Sequence, residues 1–286
     1  MRLANKWVDF EVIDAGQGVK IERYNDTVLK RPEPTATGAL ALKSYNADAT
    51  FDTKWRFKTQ LPESIELAYQ DMKMLIRPTG FKHTGIFPEQ AVNWDWARNV
   101  IKEFKEPMRI LNLFGYTGGA TVACAMEDNV VEVVHIDALK SLNSWTQENV
   151  KLNGLDHKTI RTITEDVLKF LDREIKRGRT YHGIIMDPPS YGKGPKGEVW
   201  RIEEKLPLLL DKAITLLDND AQFMILNTYT TNLGVTKVKH IFDSHLKRNG
   251  IKGHTHSDQI GLPISYKDET LACGITTRWS KHENSL

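Results

Sequence analysis

The chain has 286 residues, of which 40% are hydrophobic and 27% are charged, so a packed core is expected. Its 39 basic and 37 acidic side chains give a net charge of only +2, which excludes coating of nucleic acid through a basic excess. Two cysteines, Cys124 and Cys273, are too few for a disulfide framework or a four-ligand zinc site. The sequence shows neither a signal-peptide core nor a transmembrane stretch, so we expect a cytoplasmic protein that does not bind membranes.

The N-terminal part of the chain alternates apolar and polar side chains in short runs, at 7–14 and 19–24, with turn residues between them. This period of two predicts antiparallel hairpins. Residues 62–66 begin a short helical pattern, and residues 74–78 predict a further strand. We therefore predict a small β-rich N-terminal domain over residues 1–80.

From about residue 95 onwards, predicted strands and helices alternate. Strands are predicted at 109–114, 131–136, 159–164, 182–186, 222–226 and 271–279, and helices at 94–104, 118–126 and 140–153. This alternation indicates right-handed βαβ units and a mostly parallel sheet with helices on both faces. We predict a Rossmann-like, doubly wound α/β domain with a mostly parallel seven-stranded sheet over residues 81–286.

Four consecutive strands end in residues suited to a nucleoside ligand, at the sheet edge where such folds bind ligands. Gly115 and Gly118 follow the first strand and permit a tight turn and a close ligand, although any strand-to-helix turn could use them. Asp137 ends the second strand, and its separation from Gly115 is close to the spacing at which dinucleotide folds hold a ribose; an Asp that caps the next helix is the structural alternative. Asp166 and Asp187 follow the third and fourth strands. Together these residues predict a nucleoside cofactor.

The order of these motifs resembles the class I S-adenosylmethionine (SAM)-dependent methyltransferases, in particular the subgroup related to bacterial ribosomal RNA large-subunit base methyltransferases. The resemblance is carried by residues 111–119, by Asp137 and Asp166, and by Asp-Pro-Pro-Ser-Tyr-Gly at 187–192. The segment Thr-Gly-Ile-Phe-Pro-Glu-Gln at 84–90 is similar to one that closes over the methionine part of the cofactor in that subgroup.

For the methionine end of SAM, the resemblance implies five residues. Gly115, Thr117 and Gly118 would line this end through their backbone groups. Phe87 and Gln90, from the segment at 84–90, would complete the pocket.

For the nucleoside end, the resemblance implies that Asp137 holds the ribose and that Ala138 lies near the adenine. Asp166 would accept a hydrogen bond from the adenine amine, and Val167 would donate its backbone N–H. The family's acidic residue in the first strand is replaced here by Asn112, whose amide can hydrogen-bond the cofactor's ammonium group without a charge interaction.

We predict a catalytic role for Asp187, Pro188, Pro189 and Tyr191. The two prolines fix the backbone and remove two N–H donors, so the Asp187 carboxylate and the Pro188 carbonyl can face one donor group of the substrate. An exocyclic amine or a ring N–H suits this arrangement, and methyl transfer depends mainly on alignment. Tyr191 either stacks on a planar substrate or is a core aromatic.

The loop at 192–201 is basic and contains an aromatic residue, and it directly follows the fourth strand. We predict that it faces the substrate and contacts phosphates or bases through Lys193, Lys196, Trp200 and Arg201. A solvated surface loop is the alternative.

Covalent cytosine chemistry is disfavoured, because 5-methylcytosine enzymes of the subgroup need a thiolate that commonly follows the fifth strand. This chain has Asn227 there, and neither Cys124 nor Cys273 takes its place. His254 and His256 share a strand face without a third ligand nearby, so no metal site is predicted.

The sequence predicts a SAM-dependent methyltransferase that acts on a nitrogen of an RNA base, with ribosomal RNA as partner. A nicotinamide-dependent oxidoreductase is the second hypothesis; it would use the glycine turn and Asp137 but would leave the Asp-Pro-Pro run at 187–189 unexplained. A non-catalytic RNA-binding relative is the third. We expect no separate N-terminal RNA-binding module, because the segment 1–80 leaves little room for one.

Overall fold

A computed structural model describes residues 1–193, 199–229 and 232–283, with only the backbone described at Lys193. The chain forms two compact units, one from Met1–Val92 and Ile260–Cys273 and the other from Asn93–Gln259 and Gly274–Leu286. The predicted domain boundary after residue 80 stays a prediction.

The first unit is rich in short strands and contains the 3-10 turn Pro88–Gln90. Its strands are β1 (Arg2–Leu3), β2 (Phe10–Gly16), β3 (Val19–Tyr24), β4 (Thr27–Pro32), β5 (Ala49–Phe51), β6 (Trp55–Phe57), β7 (Ile65–Tyr69) and β8 (Met72–Ile76). Strands β2, β3 and β4 form an antiparallel meander, β5 joins β4 in parallel, and β6 pairs antiparallel with β5. Strands β7 and β8 form a separate hairpin.

The helix predicted from residue 62 is wrong. Residues 65–69 form strand β7, in which Ile65, Leu67 and Tyr69 are buried and Glu66 between them is exposed. The alternation of buried and exposed side chains fits a half-buried strand, and pairing with β8 overrides the short helical pattern.

The second unit alternates strands and helices. Its strands are β9 (Met108–Leu113), β10 (Val130–Asp137), β11 (Ile160–Thr164), β12 (Gly183–Met186), β13 (Tyr191–Lys193), β14 (Val199–Arg201) and β15 (Phe223–Thr228), and β16 (His254–Ile264) and β17 (Glu269–Ser280) contribute residues to both units. The helices are α1 (Ala91–Glu103), α2 (Gly119–Ala125), α3 (Lys140–Leu152), α4 (Val167–Lys176), α5 (Ile202–Thr215) and α6 (Val235–Arg248), and α1 starts two residues before this unit.

Seven of these strands follow the order β11-β10-β9-β12-β15-β17-β16. The first five are parallel, and β17 runs antiparallel to β15. The chain moves outward from β9 through β10 to β11 and then returns to the other side of β9 at β12, so the strand order reverses between β9 and β12. The predicted Rossmann-like, mostly parallel sheet is confirmed.

The core of the second unit lies around the central strands. Every residue of β12 and β15 is buried, as expected for parallel strands covered on both faces. Helices α4, α5 and α6 pack their apolar sides together with this sheet, with Phe170, Leu209 and Phe242 fully buried. Within the described residues, no helix has the length and hydropathy needed to span a bilayer.

Candidate active site at the strand ends

The structure places Asp166, Asp137, Gly115 and Asp187 at the ends of four adjacent strands, in this order along one sheet edge. Strand register aligns the ends, because Leu113 is paired both with Ile136 of β10 and with Met186 of β12. At a strand spacing of about 4.8 Å, the three intervals span roughly 14 Å. This edge lies at the reversal of strand order, the usual ligand position in doubly wound sheets.

The turn after β9 has an unusual backbone. Phe114 and Tyr116 adopt positive φ angles of 58° and 55°, and Gly118 has a φ of 88°. A non-glycine residue in this region costs of order 1 kcal/mol and is maintained only where its surroundings fix it. The turn is therefore held in one conformation by contacts beneath it.

Both predicted glycines are required by protein packing. A Cβ atom on Gly115 would lie 2.3 Å from the His135 ring, and one on Gly118 would lie 2.5 Å from Cγ2 of Thr146. From the sequence alone, the glycines are explained by a tight turn and by space for a ligand. The structure adds that the side of each glycine where Cβ would project is already occupied by side chains of β10 and α3.

A chain of buried hydrogen bonds runs beneath this turn. The Asn112 amide donates to the Thr121 hydroxyl at 2.9 Å, which contacts Nδ1 of His135 at 2.9 Å. On the other side of the ring, Nε2 lies 3.3 Å from the Thr146 hydroxyl, which in turn donates to the Tyr116 carbonyl at 3.1 Å. Asn112, Thr121, His135 and Thr146 are at most 2% exposed, so these bonds are shielded from water.

Both ring nitrogens of His135 have a hydroxyl partner, Thr121 at Nδ1 and Thr146 at Nε2. A hydroxyl can donate or accept, so these partners satisfy the ring in its neutral form. Burial lowers the pKa of His135 to about 4, while the backbone of Tyr116 raises it slightly. His135 is therefore neutral at physiological pH. Sequence reasoning missed this residue, although a polar side chain in an otherwise apolar strand interior was an available signal.

Asn112 is thus engaged inside the protein through its amide nitrogen, and its predicted contact with the cofactor's ammonium group stays a prediction. The neighbouring Thr117 is 1% exposed, and its carbonyl accepts a hydrogen bond from Asn149 of α3 at 2.8 Å. Helix α3 therefore fixes the turn at two carbonyls, those of Tyr116 and Thr117.

Asp137 joins two backbone segments of the site. One carboxylate oxygen accepts from the Tyr116 N–H and the other from the Leu139 N–H, both at 3.0 Å. Burial raises the pKa of Asp137, and these backbone donors partly offset that effect. The residue that precedes α3 is Leu139, without a side-chain cap, so Asp137 is not the N-cap of this helix. A carboxylate has about four acceptor positions, so capacity for a ribose remains.

Asp166 does cap a helix. Its carboxylate accepts from the Lys169 N–H at 3.0 Å at the start of α4, and the side chain is exposed. Val167 follows with a buried side chain, whereas Ala138 is exposed. Leu139 is 58% exposed despite being apolar, and no sequence motif points to it. The adenine roles of Ala138, Asp166 and Val167 stay predictions.

The tip of β12 is more open. Pro188 is buried, Pro189 is exposed and the Tyr191 side chain is 54% exposed, so Tyr191 is not a core aromatic. Trp200 donates its indole N–H to the Pro189 carbonyl at 2.6 Å and packs against Phe114, with ring centroids 5.1 Å apart. Trp200 thus ties the Asp-Pro-Pro segment to the glycine turn.

The remaining predicted residues fall in several places. Strands β13 and β14 pair Tyr191 with Arg201, which forms an exposed ion pair with Glu204 at 3.5 Å. Lys196 and the side chain of Lys193 lie outside the described residues. In the first unit, Phe87 precedes the 3-10 turn, and its carbonyl accepts from the Gln90 N–H at 3.0 Å. Their cofactor and substrate roles stay predictions.

Neither cysteine is suited to nucleophilic attack. Burial raises the pKa of Cys124 to about 12 and also raises the pKa of Cys273, so both thiols are protonated at neutral pH. Asn227, which the sequence places after the fifth strand, lies within β15, is buried and accepts a hydrogen bond from Asn93 at 2.9 Å. Across residues 1–193, 199–229 and 232–283, no group of three His, Cys, Asp or Glu side chains is arranged to hold a metal ion.

Comparison with known families identifies the class. Residues 53–229 match the family model described as S-adenosylmethionine-dependent methyltransferase, and this match covers more than half of the chain. The chain belongs to this family and is an enzyme that uses SAM as its methyl donor. The oxidoreductase and non-catalytic alternatives are not favoured.

Among curated relatives, the ribosomal RNA large subunit methyltransferase I of Erwinia tasmaniensis is 34% identical over 131 residues, which are 46% of this chain and 32% of that protein. The ribosomal RNA large subunit methyltransferase K of Neisseria meningitidis is 32% identical over 125 residues, 43% of this chain and 35% of that protein. This chain therefore matches only about a third of the length of these relatives.

Among solved structures, a SAM-dependent methyltransferase from Agrobacterium tumefaciens is 34% identical, with a TM-score of 0.92 over 98% of this chain and 93% of that one. SMU.776, assigned as a methyltransferase and crystallised with S-adenosylhomocysteine (SAH), is 19% identical, with a TM-score of 0.72 over 96% of this chain and 76% of that one. At that identity, the second likeness shows the fold alone.

Proposed function

We propose that this enzyme methylates a nitrogen of an RNA base and that its substrate is ribosomal RNA. The observation that carries the proposal is the Asp187-Pro188-Pro189 tip of β12, next to the glycine turn of β9 and followed by the exposed ring of Tyr191. The partial match to two ribosomal RNA methyltransferases supports the choice of RNA.

The strand-end edge fits SAM in size and chemistry. An edge of roughly 14 Å accommodates an extended nucleoside with an amino-acid tail. Asp137 retains acceptor positions for ribose hydroxyls, and the exposed Leu139 offers an apolar surface for the adenine. The backbone of the turn at 114–118 then faces the methionine end.

When bound, SAM supplies an electrophilic methyl group on its sulfonium. Asp187 and the Pro188 carbonyl accept hydrogen bonds from the N–H groups of the base and orient the nitrogen lone pair towards this methyl group. On methylation the nitrogen would lose a proton, and the Asp187 carboxylate or water would take it up. Tyr191 stacks on the base, and Trp200 keeps the Pro189 carbonyl in place.

The test is transfer of labelled methyl groups from SAM to ribosomal RNA isolated from a strain that lacks this gene. We expect label in RNA with the wild-type protein and a rate of labelling that is lower by about 100-fold or more with Asp187→Ala. Mass spectrometry of the labelled RNA should then detect one N-methylated nucleoside. SAH binding by both proteins, measured by calorimetry, is the control for folding. Absence of label from this RNA with the folded, SAH-binding wild-type protein would contradict a ribosomal RNA substrate.

A further inference from the structure

The first unit exposes aromatic rings on a short hairpin and a neighbouring loop. Strands β5 and β6 pair Phe51 with Trp55, and their ring centroids are 5.4 Å apart. The rings of Trp55 and Phe57 are stacked, with centroids 6.3 Å apart and an interplanar angle of 25°. The Trp55 indole donates to the Phe81 carbonyl at 3.0 Å, which brings the loop residue Phe81 beside the hairpin. We call Phe51, Trp55, Phe57 and Phe81 the aromatic cluster.

The cluster is not a buried core. Phe57 is 55% exposed and Phe81 is 75% exposed. Strand β6 is also the last strand of its sheet, so one backbone edge is open. A single exposed apolar side chain is ordinary, but grouped exposed rings on an edge strand mark a binding surface.

The hairpin carries a net positive charge, which favours a negatively charged partner. Residues 51–58 contain Lys54, Arg56 and Lys58 against Asp52, a net charge of +2 (three positive less one negative) in a chain that is otherwise nearly balanced. Arg56 bonds Asp52 at 2.5 Å, and Lys58 bonds the Asn46 side chain at 2.7 Å, both at the surface. An alternative role for cations on an edge strand is to prevent pairing with the edge of another sheet. That role does not require exposed aromatic rings.

Successive side chains of a strand point to opposite faces, so the aromatic and the cationic side chains of β6 are on different faces. Trp55 and Phe57 lie on one face of the strand, and Arg56 lies on the other. A single nucleic-acid strand along the open edge can stack bases on the rings while its phosphates meet the cations. Base–aromatic stacking combined with a cationic track is the usual mode of single-strand binding.

We propose that the aromatic cluster with Lys54, Arg56 and Lys58 binds a single-stranded segment of RNA. This inference rests on the proposed function and extends it, because it assigns part of substrate recognition to the first unit. It also differs from the sequence-based expectation that the segment 1–80 leaves little room for an RNA-binding module.

The test uses the full chain and a fluorescein-labelled single-stranded RNA of roughly 12 nucleotides, within the site sizes of single-strand-binding folds. We expect Phe57→Ala and Phe81→Ala each to raise the dissociation constant by about 5-fold or more, the lower end of the range for one lost stacking contact. Tyr266→Ala is the matched control, because Tyr266 is a similarly exposed aromatic of the same unit (62%) outside the cluster. Thermal melts confirm that each variant is folded.

Two further measurements separate the outcomes. Arg56→Gln should lower the slope of log affinity against log salt by about 1, as for loss of one phosphate contact. SAH binding and the labelled methyl-transfer assay are run on the same proteins. If the variants bind single-stranded RNA like wild type, or if duplex RNA or lipid vesicles are bound in preference, the hairpin inference fails. The methyl-transfer assay with wild type alone decides the proposed function.

Discussion

The two halves of the strand-end edge differ in how they are held. The glycine turn after β9 rests on the buried His135; its Tyr116 N–H donates to the Asp137 carboxylate, and its carbonyls accept from Thr146 and Asn149. The segment after β12 is more open, with Pro189 and Tyr191 exposed, and the indole of Trp200 donates a hydrogen bond to its Pro189 carbonyl. The difference suits the proposed division of labour, in which a small cofactor of constant shape meets a preorganised surface and a large substrate enters from the open side.

The largest expected effect is on the open half. Asp187→Ala should lower kcat by about 100- to 1,000-fold, the range for loss of one hydrogen bond that stabilises a transition state. SAH affinity should change less than 2-fold, because Asp187 is assigned to the acceptor base. Single-turnover methyl transfer and calorimetry measure the two quantities. A large loss of SAH affinity would contradict the proposal that one half of the edge binds the cofactor and the other binds the substrate.

On the preorganised half, Asp137→Ala should weaken SAH binding by about 100-fold. The variant loses charge-assisted hydrogen bonds to the ribose and also the bonds that fix the N–H groups of Tyr116 and Leu139. Asp166→Ala, which removes an exposed helix cap on the same edge, is the comparison variant. It should weaken SAH binding less than Asp137→Ala does. Calorimetric titration with SAH measures both, and equal losses would contradict a distinct role for Asp137.

The buried histidine makes this half sensitive to acid. The pKa of His135 is lowered by burial to about 4 in the folded protein, from 6.5 when exposed. Between these values the unfolded chain takes up the proton first, so the free energy of unfolding should fall as the pH falls from 6.5 to 4, and little further below that. The expected total is about 3 kcal/mol at most. Chemical denaturation at several pH values in this range measures the free energy of unfolding of wild type and of His135→Gln. The wild type should lose more stability than the variant as the pH falls, and equal losses would show that His135 does not titrate there.

The smallest expected effect concerns the hydroxyl between His135 and the turn. Thr146→Val removes the bond to the Tyr116 carbonyl with little change in shape and should lower the free energy of unfolding by about 1–2 kcal/mol. We also expect SAH binding to weaken by several-fold, because the turn loses a support. Thr215→Val, which removes an exposed hydroxyl in α5, is the matched control and should be close to neutral. Unchanged SAH affinity in Thr146→Val would show that the turn does not depend on this contact.

The sequence predicted the second unit better than the first. Strong apolar runs such as residues 109–114 and 222–226 identify buried parallel strands, and β9 and β15 lie close to these predictions. In the first unit, the short pattern from residue 62 predicts a helix, because local periodicity is ambiguous over so few residues. Pairing with β8 decided its structure.

For the candidate site, sequence alone determined which residue types follow each strand, and the alternation of strands with helices implied that these strand ends share an edge. Only the tertiary structure decided what those residues contact: that His135 lies beneath Gly115, that Asp166 rather than Asp137 caps a helix, and that Trp200 binds the Pro189 carbonyl. The Asp166 cap is a local contact with Lys169, whereas the contacts of His135 and Trp200 join residues that are not neighbours in the chain. They depend on strand order, register and side-chain packing, which no local pattern of residues contains.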